Sequence, residues 1–192
     1  MAEKEIIICE KPDSVSWEQI SKVLVNAHKP NLEKGIFMRY PFLPPEEIRA
    51  RIEGRGVMLV AMDGDKPVGT GAVLFLDKNF WYGSGKFAYC CFASILPEYS
   101  GRGLYRRMLE TEDSLALSKG YERLYFDTNE KNERVINVSR KAGYQFVDYK
   151  IRADHNSIKM VKWLKKQPLP GFAYSVIFQI IRLYRRLRKR FS

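Results

Sequence analysis

The chain has 192 residues, 45% of them hydrophobic and 13% aromatic, which is enough for one domain with a full core and too apolar for disorder. Its formal net charge of +11 invites a nucleic-acid reading, but the charge is uneven: from His155 onward there are ten basic residues and no acidic ones, and the remaining 154 are nearly neutral. That pattern excludes a uniformly basic binding surface and moves the question of partners to the tail. No apolar stretch reaches the length of a membrane span, and the N-terminus reads without a signal peptide, so the expected compartment is the cytoplasm. Cys9, Cys90 and Cys91 read as reduced thiols. Neighbours on a strand point to opposite faces, which makes Cys90 and Cys91 poor disulfide or metal partners, and no metal cluster is expected.

In chain order, Glu5 to Cys9 predicts a short strand. Ser16 predicts a helix start, with Gln19 as its capping-box partner and Trp17, Ile20, Leu24 and Ala27 on the apolar face. Lys29 to Pro44 reads as a connection rich in aromatics, and Pro44-Pro45-Glu46-Glu47 opens a second helix that Gly54 ends. Val57 to Met62 and Val68 to Leu76 read as strands joined by a hairpin turn. Asp77 to Lys86 reads as another turn region. Its Gly83-Ser84-Gly85-Lys86 is not a P-loop, because Phe80 stands where the first glycine belongs and Phe87 where Ser or Thr does. A strand from Phe87 to Leu96, a helix from Leu104 to Ser118, a strand from Tyr121 to Asp127 and a helix from Asn132 to Ala142 follow. Two final strands cover Gln145 to Arg152 and Ser157 to Leu164. The helix between the strands at 87–96 and 121–127 predicts that they run parallel. The expected fold is therefore α/β (α+β): a mixed, mainly antiparallel twisted sheet of about seven strands with a central parallel pair and flanking helices.

The joint Leu96-Pro97-Glu98-Tyr99-Ser100-Gly101-Arg102-Gly103-Leu104-Tyr105-Arg106 is the most informative stretch. A strand stops at proline, two glycines follow, and a helix begins. Glycines let backbone approach an anion, the first helical N–H groups are unpaired, and Arg102, Arg106 and Arg107 add charge.

This element order, with its Pro-Glu-Tyr-x-Gly-Arg-Gly turn in the fourth strand–helix joint, resembles the GCN5-related N-acetyltransferase (GNAT) family over about Glu5 to Leu164. A second anchor runs from Thr128-Asn129-Glu130-Lys131-Asn132 to Arg140-Lys141-Ala142-Gly143-Tyr144. The resemblance implies that the turn's amides hold the pyrophosphate of acetyl-CoA, with no metal required. It implies cofactor contacts from Ile95, Leu96, Ser100, Gly101, Arg102, Gly103, Leu104, Tyr105, Arg106 and Asn132. Two positions of the family's turn pattern depart: Ser100 stands for Gln or Arg, and Tyr105 for a small residue, so the Tyr105 ring is expected to point away from the cofactor. Seven residues after Asn132 the family often carries an acid tyrosine; here that position is Ser139.

Acyl transfer from a thioester needs a neutral amine, a polarised carbonyl and a leaving thiolate. The resemblance implies a strand bulge near Phe92 to Ile95 whose N–H polarises the carbonyl. Ser139, Tyr144 or water could assist the thiolate. Base candidates are His155, in the turn at the ligand-binding edge, and Asp127 and Glu130, at the end of their strand. His28, beside the aromatic connection, is a fourth. Each has a structural alternative: a turn hydrogen bond to Asp154 for His155, and charge satisfaction at a helix end for the other three.

After Gln167-Pro168-Leu169-Pro170-Gly171, residues Phe172 to Ser192 predict a basic amphipathic helix with Ala173, Ile177, Ile180, Tyr184, Leu187 and Phe191 on its apolar face. Residues 1–166 are expected to form the acyltransferase domain and 167–192 the break and helix. The tail's apolar face is expected on an anionic membrane, on the domain, or on a second subunit in a homodimer; nucleic acid is not the expected partner. The functional expectation is acetyl transfer from acetyl-CoA to a primary amine. The alternatives are a non-catalytic acyl-CoA-binding module and an enzyme using a longer acyl group on a membrane-associated acceptor.

Overall fold

The structure is a computed structural model that describes residues 5–165 and 167–190. Seven strands form one sheet in the order β1-β2-β3-β4-β5-β7-β6. They span β1 Ile7–Glu10, β2 Gly56–Asp63, β3 Lys66–Phe80, β4 Gly83–Ile95, β5 Arg123–Asn129, β6 Gln145–Ile151 and β7 Asn156–Trp163. The helices are α1 Trp17–Glu33, α2 Pro45–Ile52, α3 Leu104–Ser118, α4 Glu133–Lys141 and α5 Gly171–Arg190. Every neighbouring pair is antiparallel except β4 and β5, the parallel pair that the intervening helix requires.

The capping box forms as expected: Gln19 N donates to Ser16 Oγ at 3.3 Å, and Ser16 N donates to Gln19 Oε1 at 2.7 Å. Two boundaries differ from expectation. Helix α1 runs on through Pro30 to Glu33. A proline there forfeits one bond near the helix end, and the turns beyond it still close through Lys34 N to Asn31 O at 3.1 Å. The expected turn at 77–86 is a hairpin instead, paired from Asp77↔Lys86 to Phe80↔Gly83 around Trp81 and Tyr82. Its polar residues are weak strand formers. Phe80 anchors it, packing 4.9 Å from Tyr82, 5.0 Å from Phe87 and 5.1 Å from Tyr125 between ring centroids.

The sheet buries both faces. Val60, Ala72 and Phe92 pack under α1 and α2, while Val73, Cys90, Leu124 and Phe126 pack under α3 and α4. Cys90 and Cys91 accordingly fall on opposite faces, and both are free. Helix α3 sits close on β3: a Cβ at Gly71 would meet Met108 at 2.9 Å and Glu112 Oε1 at 3.0 Å and force these side chains to shift.

Two irregularities open the sheet at one edge. The parallel pair is hydrogen-bonded only at Ala88↔Leu124 and Tyr89↔Tyr125, so the C-terminal ends of β4 and β5 leave a gap. Beside it β4 bulges: Thr70 pairs with Ser94 and Ala72 with Cys91, which sets Phe92 and Ala93 against the single residue Gly71.

Helix α5 docks on β6. Tyr174 and Phe178 are buried; Phe178 stacks on Phe146 at 4.9 Å, and Tyr174 lies 4.6 Å from Trp163. The face that docks on the domain is centred on Tyr174 and Phe178, and not on the apolar face read from the sequence. Ile180, Tyr184 and Leu187 are exposed, and Phe191 lies outside the described residues. The helix is apolar on two sides, and periodicity alone does not tell which side meets the sheet.

Candidate active site

A cavity of about 720 Å³ lies at the open edge, walled by the second half of α1, the end of β4, the turn before α3 and the start of α4. A smaller one, about 40 Å³, occupies the gap between β4 and β5.

The turn runs through Pro97–Tyr99, Ser100 and Gly101 to Gly103, which caps α3 at φ 74°. The first α3 backbone bond is Arg107 N to Gly103 O, at 3.0 Å. The N–H groups of Leu104, Tyr105 and Arg106 therefore lack intrahelical acceptors, and all three residues line the large cavity. A Cβ at Gly101 or Gly103 would find nothing within 4 Å, so the turn's outer surface is open. An open row of amides, a helix N-terminus and Arg106 suit a phosphorylated ligand. Ile95, Ser100, Gly101 and Asn132 also line this cavity. Leu96 and Arg102 do not: Leu96 is buried in the core, and Arg102 lies over the Tyr99 ring at 5.2 Å. Arg107 is used elsewhere, donating to the Ile6 carbonyl at 2.7 Å.

Tyr105 packs against the core between α3 and α4 and reaches both cavities. Burial pushes its phenol above the ordinary value; the charge of Glu112 adds to this, and the facing Ser139 hydroxyl opposes it. Ser139 itself is fully buried, lines neither cavity, and its Oγ has no hydrogen-bond partner among the described residues. Asn132 is buried at the start of α4, with its Nδ2 3.4 Å from Thr128 Oγ1.

The base candidates separate. Glu130 is occupied, accepting from Tyr149 Oη at 2.8 Å and from Asn156 Nδ2 at 2.5 Å, with Arg186 at 3.2 Å and Arg182 at 3.5 Å. Burial works against its charge, but these partners outweigh burial and hold the carboxyl below its ordinary value. His155 bonds Asp154 Oδ1 at 2.7 Å, sits 6.0 Å from the Phe37 ring, and lines neither cavity. Asp127 differs from both. It lines the small cavity, and its Oδ1 is buried with no hydrogen-bond partner among the described residues. Burial raises its pKa, while Lys159, at 3.9 Å, and more distantly Lys150 and Arg152 pull it back.

A buried cluster underlies the bulge. His28 Nε2 lies 3.0 Å from Ser94 Oγ and 2.9 Å from Tyr40 Oη, and Asn31 Nδ2 donates to His28 Nδ1 at 3.0 Å. With Nδ1 accepting, Nε2 carries the proton. Burial pushes the imidazole down to about 4, so it is neutral near pH 7. Tyr40 Oη in turn donates to Ala93 O at 3.2 Å. This ties α1, the aromatic connection and the bulge together across 66 residues of sequence, which no local pattern encodes.

A second buried acid carries no local signal in the sequence. Glu112 faces the small cavity, neither oxygen has a hydrogen-bond partner among the described residues, and burial raises it to about 8.

A family model described as "Acetyltransferase (GNAT) family" matches residues 22–144, more than half of the chain. No curated protein matches it in sequence. Among solved structures it is similar to Salmonella typhimurium yncA, solved with its cofactor acetyl-CoA, at 17% identity and TM-score 0.65, over 86% of this chain and 98% of that one. It is similar to aminoglycoside 6'-acetyltransferase type Ii at 18% identity and TM-score 0.65, over 84% and 99%. It is also similar to the ribosomal-protein-S18-alanine N-acetyltransferase of Escherichia coli at 14% identity and TM-score 0.61, over 86% and 99%.

Proposed function

Because the chain belongs to the GNAT acetyltransferase family, we propose that it transfers an acetyl group from acetyl-CoA to a primary amine by direct attack in a ternary complex, in the cytoplasm. The observation that carries this reading is the pairing of an open anion-binding helix start with a small gap that holds an unpartnered carboxylate oxygen. Acetyl-CoA supplies a thioester-activated acyl carbon. The amides of Leu104 to Arg106 and the Arg106 guanidinium hold its pyrophosphate, and the β4 edge at Ser94 and Ile95 guides its arm towards the gap.

At about 40 Å³ the gap holds a group of a few heavy atoms, which supports acetyl over a longer acyl chain. The Asp127 carboxylate attracts the acceptor's ammonium and takes one proton, freeing the nitrogen lone pair to form the C–N bond as the C–S bond breaks; the second N–H proton passes to the departing thiolate. The bulge at Phe92 turns backbone N–H towards the acyl oxygen and polarises it. Two structural neighbours carry names of enzymes that acetylate amino groups, which supports an amine acceptor.

A specific observation favours a second reading, acyl-CoA binding without turnover: Ser139 is buried away from both cavities, so it supplies no acid to the thiolate. A thiolate leaves without much help, so the catalytic reading stands ahead. The test is coenzyme A release from acetyl-CoA and from longer acyl-CoAs with a panel of primary amines and amino sugars. Turnover with acetyl-CoA and a steep fall with chain length is the expected result. Tight acetyl-CoA binding with no turnover on any acceptor would establish the second reading instead.

A further inference from the structure

Helix α5 has one face on the domain and a second apolar face that none of the described residues covers. Phe172 is 73% exposed, Ile180 62%, and Leu183 and Tyr184 61% each; Val176 and Leu187 complete the stripe. These six positions recur at helical spacing and fall on one side over about 22 Å of helix. An exposed apolar stripe of this size marks a contact surface. Helix α5 is not long and apolar enough to cross a membrane, nor is any other helix among the described residues.

The surrounding charge selects the occupant. Helix α5 carries Arg182, Arg185, Arg186, Arg188, Lys189 and Arg190 and no acidic residue. On a helical wheel Arg186 and Arg188 flank the stripe on opposite sides, and Lys189 is exposed near the end of the helix on the side away from the stripe. A second copy packed in parallel would set Arg186 and Arg188 against the same residues, with no acid on α5 to answer them. An anionic lipid surface supplies the opposite charge and an apolar layer together.

We infer that the outer face of α5, from Phe172 to Leu187, seats on an anionic bilayer surface, with the helix lying in the plane of the headgroups. The inner face fixes how the domain then sits. Tyr174 and Phe178 are buried against the sheet, Arg185 pairs with Asp148 at 2.9 Å, and Arg182 and Arg186 reach Glu130. Glu130 is two residues from Asn132, which lines the large cavity, so the basic end of α5 and the cavity lie at the same edge of the sheet. Seating α5 on a bilayer brings the β6 side of the sheet to the membrane. The binding inference does not rest on the proposed reaction, because its test reads lipid association alone.

The experiment is flotation of the full chain with phosphatidylcholine vesicles, with and without phosphatidylserine. It is run on the wild type, on a stripe variant (Ile180→Glu with Leu183→Glu) and on a charge variant (Arg188→Glu with Lys189→Glu). All four substituted side chains are exposed, so each variant is expected to keep the wild-type circular dichroism and melting temperature. The wild type is expected to float with anionic vesicles and to lose about tenfold in affinity on neutral ones or at high salt. The stripe variant is expected to stay unbound, and the charge variant to lose its preference for phosphatidylserine. No flotation of the wild type on anionic vesicles overturns the inference, and so does equal flotation of the stripe variant. A concentration-dependent dimer in analytical ultracentrifugation that the stripe substitutions abolish, without vesicle binding, overturns it in favour of a second copy.

Discussion

Thr70 Oγ1 donates to the Phe92 carbonyl across 2.7 Å, at the place where β4 leaves the ladder of β3. Among the described residues Phe92 is the one non-glycine at positive φ, 55°. Such a backbone conformation costs on the order of 1–3 kcal/mol and persists only where its surroundings impose it. Thr70, on the neighbouring strand, is one of the groups imposing it. Thr70→Val keeps the shape and removes the hydroxyl, leaving a buried carbonyl short of a donor. The expected loss is about 1–2 kcal/mol in urea unfolding, with turnover falling further than coenzyme A affinity. Thr70→Ser restores both.

Asp127→Asn separates the base from the binding site. Asp127 lines the small cavity and not the large one, so coenzyme A affinity by calorimetry is expected to stay unchanged. Turnover is expected to fall about 100-fold. The base works unprotonated and its pKa is raised. Wild-type turnover therefore declines as pH falls through that raised value, and the variant's residual rate loses this acid limb.

Gly103→Ala tests the turn. A Cβ there meets no atom within 4 Å, so the cost is the conformation alone at φ 74°. The expected destabilisation is about 1 kcal/mol. Relaxing the cap misdirects the amides after it, and calorimetry is expected to show several-fold weaker coenzyme A binding.

Glu112 makes stability depend on pH. Its folded value of about 8 stands above the ordinary 4.5, so the folded chain holds a proton that the unfolded chain releases. Stability is full below pH 4.5 and is lost progressively as pH rises towards 8. The loss is on the order of 3 kcal/mol by pH 7. Cys90 on β4, Tyr144 before β6, and Tyr105 and Asp113 on α3 share its surroundings. Asp113 is paired with Lys162. Glu112→Gln is expected to flatten urea midpoints across this range and to exceed the wild type at pH 7.5.

What could be read in advance was local. Ser16 and Gln19 announce a cap because both halves of it lie within one turn of chain. Gly101 and Gly103 announce a turn because positive φ selects glycine. The parallel pair follows from a helix lying between two strands. Other features depend on distant partners. Asp77 to Lys86 looks like a turn until Phe80 finds Tyr125. His28 looks like a helix-end charge until Ser94 and Tyr40 surround it. Glu112 sits near Glu110 and Asp113 in sequence and looks solvated; only the packing of α3 over Gly71 buries it.

The four-partner carboxylate of Glu130 has a practical consequence for anyone tempted to trim the tail. Cutting the chain before α5 would remove two of those partners and uncover Phe146 and Tyr149 as well. The strand-to-helix link that presents Asn132 would lose half of its clamp, keeping only Tyr149 and Asn156. A shortened protein that lost activity would thus report on a slackened hinge beside the cofactor groove, whatever α5 touches on its other side.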